Sequence, residues 1–237
     1  MAMTTTTPLI PAVFIRRYQR FLADVELDGR TVTVHVPNTG SMLTLQESGV
    51  TAWLRPALPG RKLPFTLVLL GLPAGGLALV DTSVPNALVT EAVAAGAVPE
   101  LAGYATHRRE VAYGSRGSRI DLLLQHPDRP VCHVEVKNVT MRSTMVAGRA
   151  DFPDARSERG AKHLAELADV ARSGGRAVQF YLLSRDDCDR VGFAGGIDPL
   201  YAQAAREARD AGVEFLAYRA RLAVDGLGLG ERCRVEW

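Results

Sequence analysis

From Val13 to about Val80 apolar residues come in short runs separated by turn signals. The runs Phe21 to Leu27, Thr31 to Val36 and Val50 to Leu54, then Leu67 to Leu70 and Leu77 to Val80, are broken by Asp28-Gly29, Pro59-Gly60 and a Gly/Pro segment at 71–76. That pattern predicts five short strands, and the natural way to bury one face of so few strands is a small barrel of the OB type. Leu63 to Val80 carries no charge, which raises the question of a membrane helix. Pro64, Gly71, Pro73, Gly75 and Gly76 exclude one and leave two buried strands.

After Asp81 the period changes. A helix is expected over Ala87 to Ala95, strands at Glu110 to Tyr113, Ile120 to Leu124 and Val131 to Val136, and a helix from about Ser157 to Ala171. A strand Ala177 to Leu183, a helix near Leu200 to Ala211 and a strand Val213 to Tyr218 complete the order. The expected organisation is therefore a mixed α/β chain, with a barrel over residues 1–81 and an α-β-β-β-α-β unit over 82–237. Many metal-dependent nucleases are built on such a core, although fold alone does not fix function.

The charges change this picture only through their placement. Residues 1–80 hold 7 Arg and Lys against 4 Asp and Glu, and the remainder 21 against 22, so the amino-terminal third is the basic part of a chain whose net charge is +2. Cys132, Cys188 and Cys233 lie far apart with no CxxC pair. Neither a disulfide framework nor a zinc knuckle is suggested, and a cytoplasmic setting is expected. The Thr-rich segment Met1 to Ala12 precedes Arg16-Arg17, the reverse of a secretory signal, and no membrane partner is expected.

Two carboxylates stand inside apolar strands: Asp121 in Ile120-Asp121-Leu122-Leu123-Leu124 and Glu135 in Val134-Glu135-Val136. A buried carboxylate without compensation is costly, and the turn Pro127-Asp128-Arg129-Pro130 allows the two strands to be neighbours. Strand alternation puts Lys137 on the face of Glu135, giving the D…ExK spacing of a divalent-metal phosphodiesterase: two ligands for Mg²⁺ or Mn²⁺ and an ammonium to orient the attacking water. The spacing alone is weak, but the chain uses 25 Arg and only 3 Lys, so a Lys at 137 points to a need for a compact ammonium. Glu91 and Glu110 are two further carboxylates that could complete a metal shell. The basic, Gly-rich stretch Gly114 to Arg119, with Arg116 and Arg119, is either a phosphate cradle or an ordinary hairpin turn. On the following helix Arg159, Lys162, His163 and Glu166 share a face opposite Leu164, Leu167 and Ala168; that face is either a phosphate contact or simply solvated.

Several segments together resemble the bacterial sugar fermentation stimulation protein family, SfsA. They are Arg17-Tyr18 with Arg20 to Val25, Pro37-Asn38-Thr39-Gly40 with Met42, Ser118 to Asp121, and Glu135-Val136-Lys137. Phe152-Pro153-Asp154 and Glu158-Arg159-Gly160 running into Lys162-His163-Leu164 complete the set. The resemblance spans nearly the whole chain. It implies an amino-terminal OB-like domain, a carboxy-terminal restriction-endonuclease-like domain of the PD-(D/E)xK class, DNA binding of low sequence specificity, and a regulatory link to maltose metabolism. On the matching positions Asp121 and Glu135 would be metal ligands and Lys137 the water-orienting group, although Ile120 stands where the literal PD motif has proline. Arg16, Arg17 and Arg20 and the turn at Asn38 would contact nucleic acid, a structural role for the turn being equally compatible. Two functional classes follow: a metal-dependent DNA endonuclease, or a noncatalytic DNA-binding regulator on the same scaffold. RNA as the partner of the barrel ranks third.

Overall fold

A computed structural model describes residues 2–4, 8–114 and 117–237, the first three as backbone only. The strands are β1 (Ala2–Thr4), β2 (Ile10–Tyr18), β3 (Leu22–Leu27), β4 (Arg30–His35), β5 (Thr51–Pro56), β6 (Phe65–Gly71) and β7 (Leu77–Leu79). Helix α1 (Val84–Ala94) follows, then β8 (Thr106–Tyr113), β9 (Ser118–His126), β10 (Arg129–Val139), β11 (Met141–Arg142) and β12 (Arg149–Phe152). The chain ends with α2 (Glu158–Arg172), β13 (Arg176–Leu183), β14 (Arg190–Phe193), α3 (Pro199–Asp210), β15 (Glu214–Ala223) and β16 (Gly226–Val235).

β2 to β7 form the OB-like barrel that the sequence suggested. The sheet order is β4-β3-β2-β5-β6-β7, and a parallel bridge between His35 and Thr66 closes β4 onto β6. Closure hides the strand edges and leaves an interior filled by Phe14, Val25, Val34, Met42, Leu54, Leu67 and Leu70. The second sheet runs β11-β12-β14-β16-β15-β13-β10-β9-β8, with β1 added against β16 rather than lying in the barrel. Its centre is parallel, β10 to β13 to β15, and is covered on both faces: α1 packs on one, α2 and α3 on the other.

Local chemistry sets the helix ends. Asp81 Oδ1 accepts hydrogen bonds from Ser83 N and Oγ just ahead of α1, which has Pro85 in its first turn. Ser157 and Asp198 cap α2 and α3, accepting from Gly160 N and Tyr201 N at 2.9 Å each. Elements absent from the sequence expectation are β1, β2, β11, β12, β14 and β16; in the last, Gly226 and Gly228 pair with Ala223 and Arg221 of β15.

The barrel and the second sheet share one core. Leu9, Val68, Leu69 and Leu79 pack with Leu88 and Val89 of α1 and with Val134, Phe180 and Leu216 beneath it. β7 continues the connection through a bridge from Ala78 to Arg185 and a hydrogen bond from Leu79 N to Ser184 O at 2.9 Å. This shared packing fixes how the barrel sits over the carboxyl ends of β10 and β13. The run Leu63 to Val80 supplies β6 and β7, and no described helix is long and apolar enough to cross a membrane.

Candidate metal centre and interdomain cleft

The β9–β10 hairpin brings Asp121 beside Glu135. The ladder pairs Leu122 with Val134, and one residue on, Val136 N donates to Asp121 Oδ2 at 2.7 Å. The other oxygen accepts from Asn86 Nδ2 of α1 at 2.7 Å. Alternation breaks here: Ile120 and Leu123 both join the core under α2, while across the ladder Glu110 takes a φ of 53°, rare for a residue with a side chain. Such local irregularity re-aims a side chain without ending the strand.

Glu135 is 2% exposed and lies over α2. Its Oε1 accepts from Lys137 Nζ at 2.7 Å and from His163 Nδ1 in a short contact. Arg159 Nε donates to His163 Nε2 at 3.3 Å, which leaves the Nδ1 proton facing Glu135. Gln179, opposite Glu135 in the parallel ladder, donates to its backbone carbonyl at 3.0 Å. Glu135 Oε2 is buried and has no hydrogen-bond partner among the described residues.

The two carboxyls are driven apart electrostatically. Burial and then the Glu135 charge push Asp121 up to about 6, against the Val136 N–H and Lys137. Burial on its own would raise Glu135 too, but Lys137 and His163 outweigh it and hold Glu135 below the ordinary carboxylate value. Tyr113 is raised by burial and by Glu135, Glu166 and Asp121. A net negative pair with one open, buried oxygen suits a hard divalent cation, which would satisfy Glu135 Oε2 and ionise Asp121. The donor set present therefore fits a hard divalent cation.

Outside this pair the expected residues divide. Glu110 sits at the register position facing Asp121 and adds to its upward push. Glu91 does not join the group: it is exposed on α1, five residues and some 140° around the helix from Asn86, the α1 residue that does reach Asp121. His163 does not stand on an open helix face; at 4% exposure it lies under Glu135, and Glu166 is buried with it. Asn38 is likewise turned inward, donating to Val80 O and accepting from Gly40 N. Arg17 directs its guanidinium at the carbonyls of Arg20, Asn38 and Gly40, and Arg16 pairs with Asp24 while remaining largely exposed. Arg119 and Arg159 are exposed and Lys162 is partly buried; Arg116 lies outside the described residues.

Between the barrel and the second sheet runs a cleft of about 360 Å³ that reaches Lys137. Arg20 and Thr39 line its barrel side, Asn86 and Lys137 its floor, and Arg156 and Arg159 its far wall. Asn86 and Arg156 were missed at the sequence level. Neither left a local signal: Asn86 is one of three polar residues on α1, with Thr90 and Glu91, and Arg156 is indistinguishable from any exposed arginine.

Comparison with known proteins agrees with both halves of this architecture. The family model described as the SfsA N-terminal OB domain matches residues 15–80, and that described as the sugar fermentation stimulation protein RE domain matches residues 83–226. The sugar fermentation stimulation protein homolog of Rhodospirillum centenum is 52% identical, covering 98% of this chain and 99% of its own. That of Geobacter metallireducens is 49% identical over 98% and 99%. Among solved structures, Pyrococcus furiosus SfsA in complex with Ca²⁺ superimposes over 100% of both chains with a TM-score of 0.89 at 27% identity. Matched by both domain models and by relatives of nearly equal length at about half identity, this chain belongs to the sugar fermentation stimulation protein family.

Proposed function

We propose that the chain is a divalent-metal-dependent nuclease that hydrolyses phosphodiester bonds in DNA with little sequence preference. The observation that carries this reading is the Asp121–Glu135 pair, the first half-buried and the second buried, with one Glu135 oxygen open and a lysine ammonium 2.7 Å from the other. Asp121 and Glu135 would hold Mg²⁺ or Mn²⁺, which when bound neutralises phosphate charge and acidifies water. Asn86 fixes Asp121, and His163 fixes Glu135 through its Nδ1 proton. Lys137 is placed to orient the attacking water, and Arg20, Arg156 and Arg159 to hold flanking phosphates along the cleft. Phosphate contacts carry affinity but not sequence, hence the low specificity. On this reading the barrel, β2 to β7, holds the strand and residues 82–237 cut it. The Ca²⁺ named for the Pyrococcus furiosus relative supports a divalent ion in this fold.

The test is cleavage of single- and double-stranded DNA by purified protein, with Mg²⁺ or Mn²⁺ against EDTA, beside Lys137→Ala. Metal-dependent cutting that disappears in the variant is the expected result. Tight DNA binding with no cutting under any metal would overturn the enzyme in favour of a noncatalytic regulator.

A further inference from the structure

The barrel side of the cleft mouth is the tight turn joining β2 to β3. Gln19 and Arg20 there have φ of 45° and 63°, a left-handed conformation that side-chain-bearing residues seldom hold unless their surroundings enforce it. The enforcement comes from Arg17, whose Nε and Nη2 both donate to Arg20 O at 2.9 and 2.6 Å while Nη1 and Nη2 reach Gly40 O and Asn38 O. Arg20 in turn is laid against Thr39 O by two hydrogen bonds, with its guanidinium 5.6 Å over the ring of Phe21. That ring stays 40% exposed, whereas Phe14 in the same barrel is fully buried. An exposed aromatic ring beside an arginine, on a pinned turn at the rim of a cationic cleft, is the chemistry that stacks nucleobases. In an OB-type barrel the loop between the first two strands borders the ligand face.

A second, independent observation limits what can enter. The barrel loop after β4 touches the opposite wall: Met42 N donates to Asp154 Oδ2 at 2.8 Å and Ser41 Oγ to Asp154 O. The approach is so close that a Cβ on Gly40 would lie 2.5 Å from both Asp154 carboxylate oxygens. The route to Lys137 is therefore walled on two sides. A cleft narrowed in this way favours a single strand over a B-form duplex, whose major groove alone is about 12 Å wide. A single strand can thread it.

We propose that Phe21 is a base-stacking platform and that the cleft receives single-stranded DNA, or the unpaired end of a longer DNA, rather than continuous duplex. This deepens the phosphodiesterase reading by naming the strand, and it rests on that reading only for why a strand should enter.

The experiment is fluorescence anisotropy in EDTA with a short labelled oligonucleotide as single-stranded DNA, as duplex and as single-stranded RNA. Wild-type protein is compared with Phe21→Leu, which keeps apolar bulk, and Phe21→Trp, which keeps a stacking face, after thermal melts show each variant folded. Single-stranded DNA is expected to bind about tenfold tighter than duplex, with a similar loss in Phe21→Leu and retention in Phe21→Trp. Equal or tighter duplex binding, or undiminished single-strand affinity in Phe21→Leu, overturns the proposal, and tighter binding of RNA than DNA overturns its choice of strand. Because no metal is present, failure of the protein to cut DNA would count against the nuclease reading and leave this result standing.

Discussion

Asp24 in β3 and Asp121 in β9 are both aspartates set in apolar strands, and their surroundings drive them in opposite directions. Burial works to raise Asp24, but Arg16, Tyr18 and Thr33 each donate to it at 2.9 Å, and with the Arg16 charge they hold its carboxyl below the usual value. Among the described residues Asp121 accepts only from Asn86 and the Val136 N–H; it faces the Glu135 charge and is pushed up to about 6. The barrel's carboxylate is completed by protein donors and is structural. In the second sheet Asp121 is left short of positive charge and Glu135 keeps one buried oxygen without a donor among the described residues, and that deficit is what a cation would fill.

The largest expected effect separates the two regions by activity. Asp121→Asn or Glu135→Gln should lower metal-dependent DNA cleavage by about a hundred- to a thousandfold, while the folded fraction of Asp24→Asn cuts at the wild-type rate. Equal losses in all three would erase the distinction. Next comes pH. In the metal-free protein the raised pKa of Asp121 means that the folded state binds more protons than the unfolded between pH 4 and 6. The stability that Asp121 contributes should therefore fall by about 3 kcal/mol as pH rises through that window. Asp24 has the opposite sign, its contribution being present above the unfolded pKa and lost as pH falls through its lowered folded value. Urea unfolding in EDTA at pH 4, 5 and 6 checks this: the slope should flatten in Asp121→Asn, and an unchanged slope would detach the shift from that residue.

Asp24→Asn should cost about 1–3 kcal/mol in urea unfolding at neutral pH, because one of its donors then faces an amide N–H. A change within error would mean that solvent already satisfies Arg16 and Thr33. The smallest effect is expected at Gly40→Ala, about 1 kcal/mol, as the barrel loop shifts off Asp154. An unchanged melting temperature would show that the wall yields freely.

The divide between what sequence shows and what it hides follows from the same comparison. Asp121, Glu135 and Lys137 were legible because charges inside apolar strands demand compensation, and because period-two alternation fixes a shared face. The barrel and the α-β-β-β-α-β order were legible from turn spacing and the change of period. What lies above each strand was not. Nothing local distinguishes Asn86, which reaches Asp121, from Glu91, which faces solvent one and a half turns away, and helical phase put His163 and Glu166 on the polar face of α2 without showing that Glu135 covers it. Arg17 and Asn38 read as surface cations and polar turn residues, yet their donors close on backbone carbonyls, a fate decided by the folded loop. The glycine-rich β16 was hidden because its pairing along β15 outweighs its poor strand propensity.

The account stands on the claim that Asp121 and Glu135 form a cation site, and direct titration of Mn²⁺ into metal-free protein tests it without reference to any substrate. The expected result is one strongly bound ion per chain at neutral pH, weakening as pH falls through about 6, and lost in Glu135→Gln. Absence of binding, or the same stoichiometry and affinity in Glu135→Gln, would contradict it.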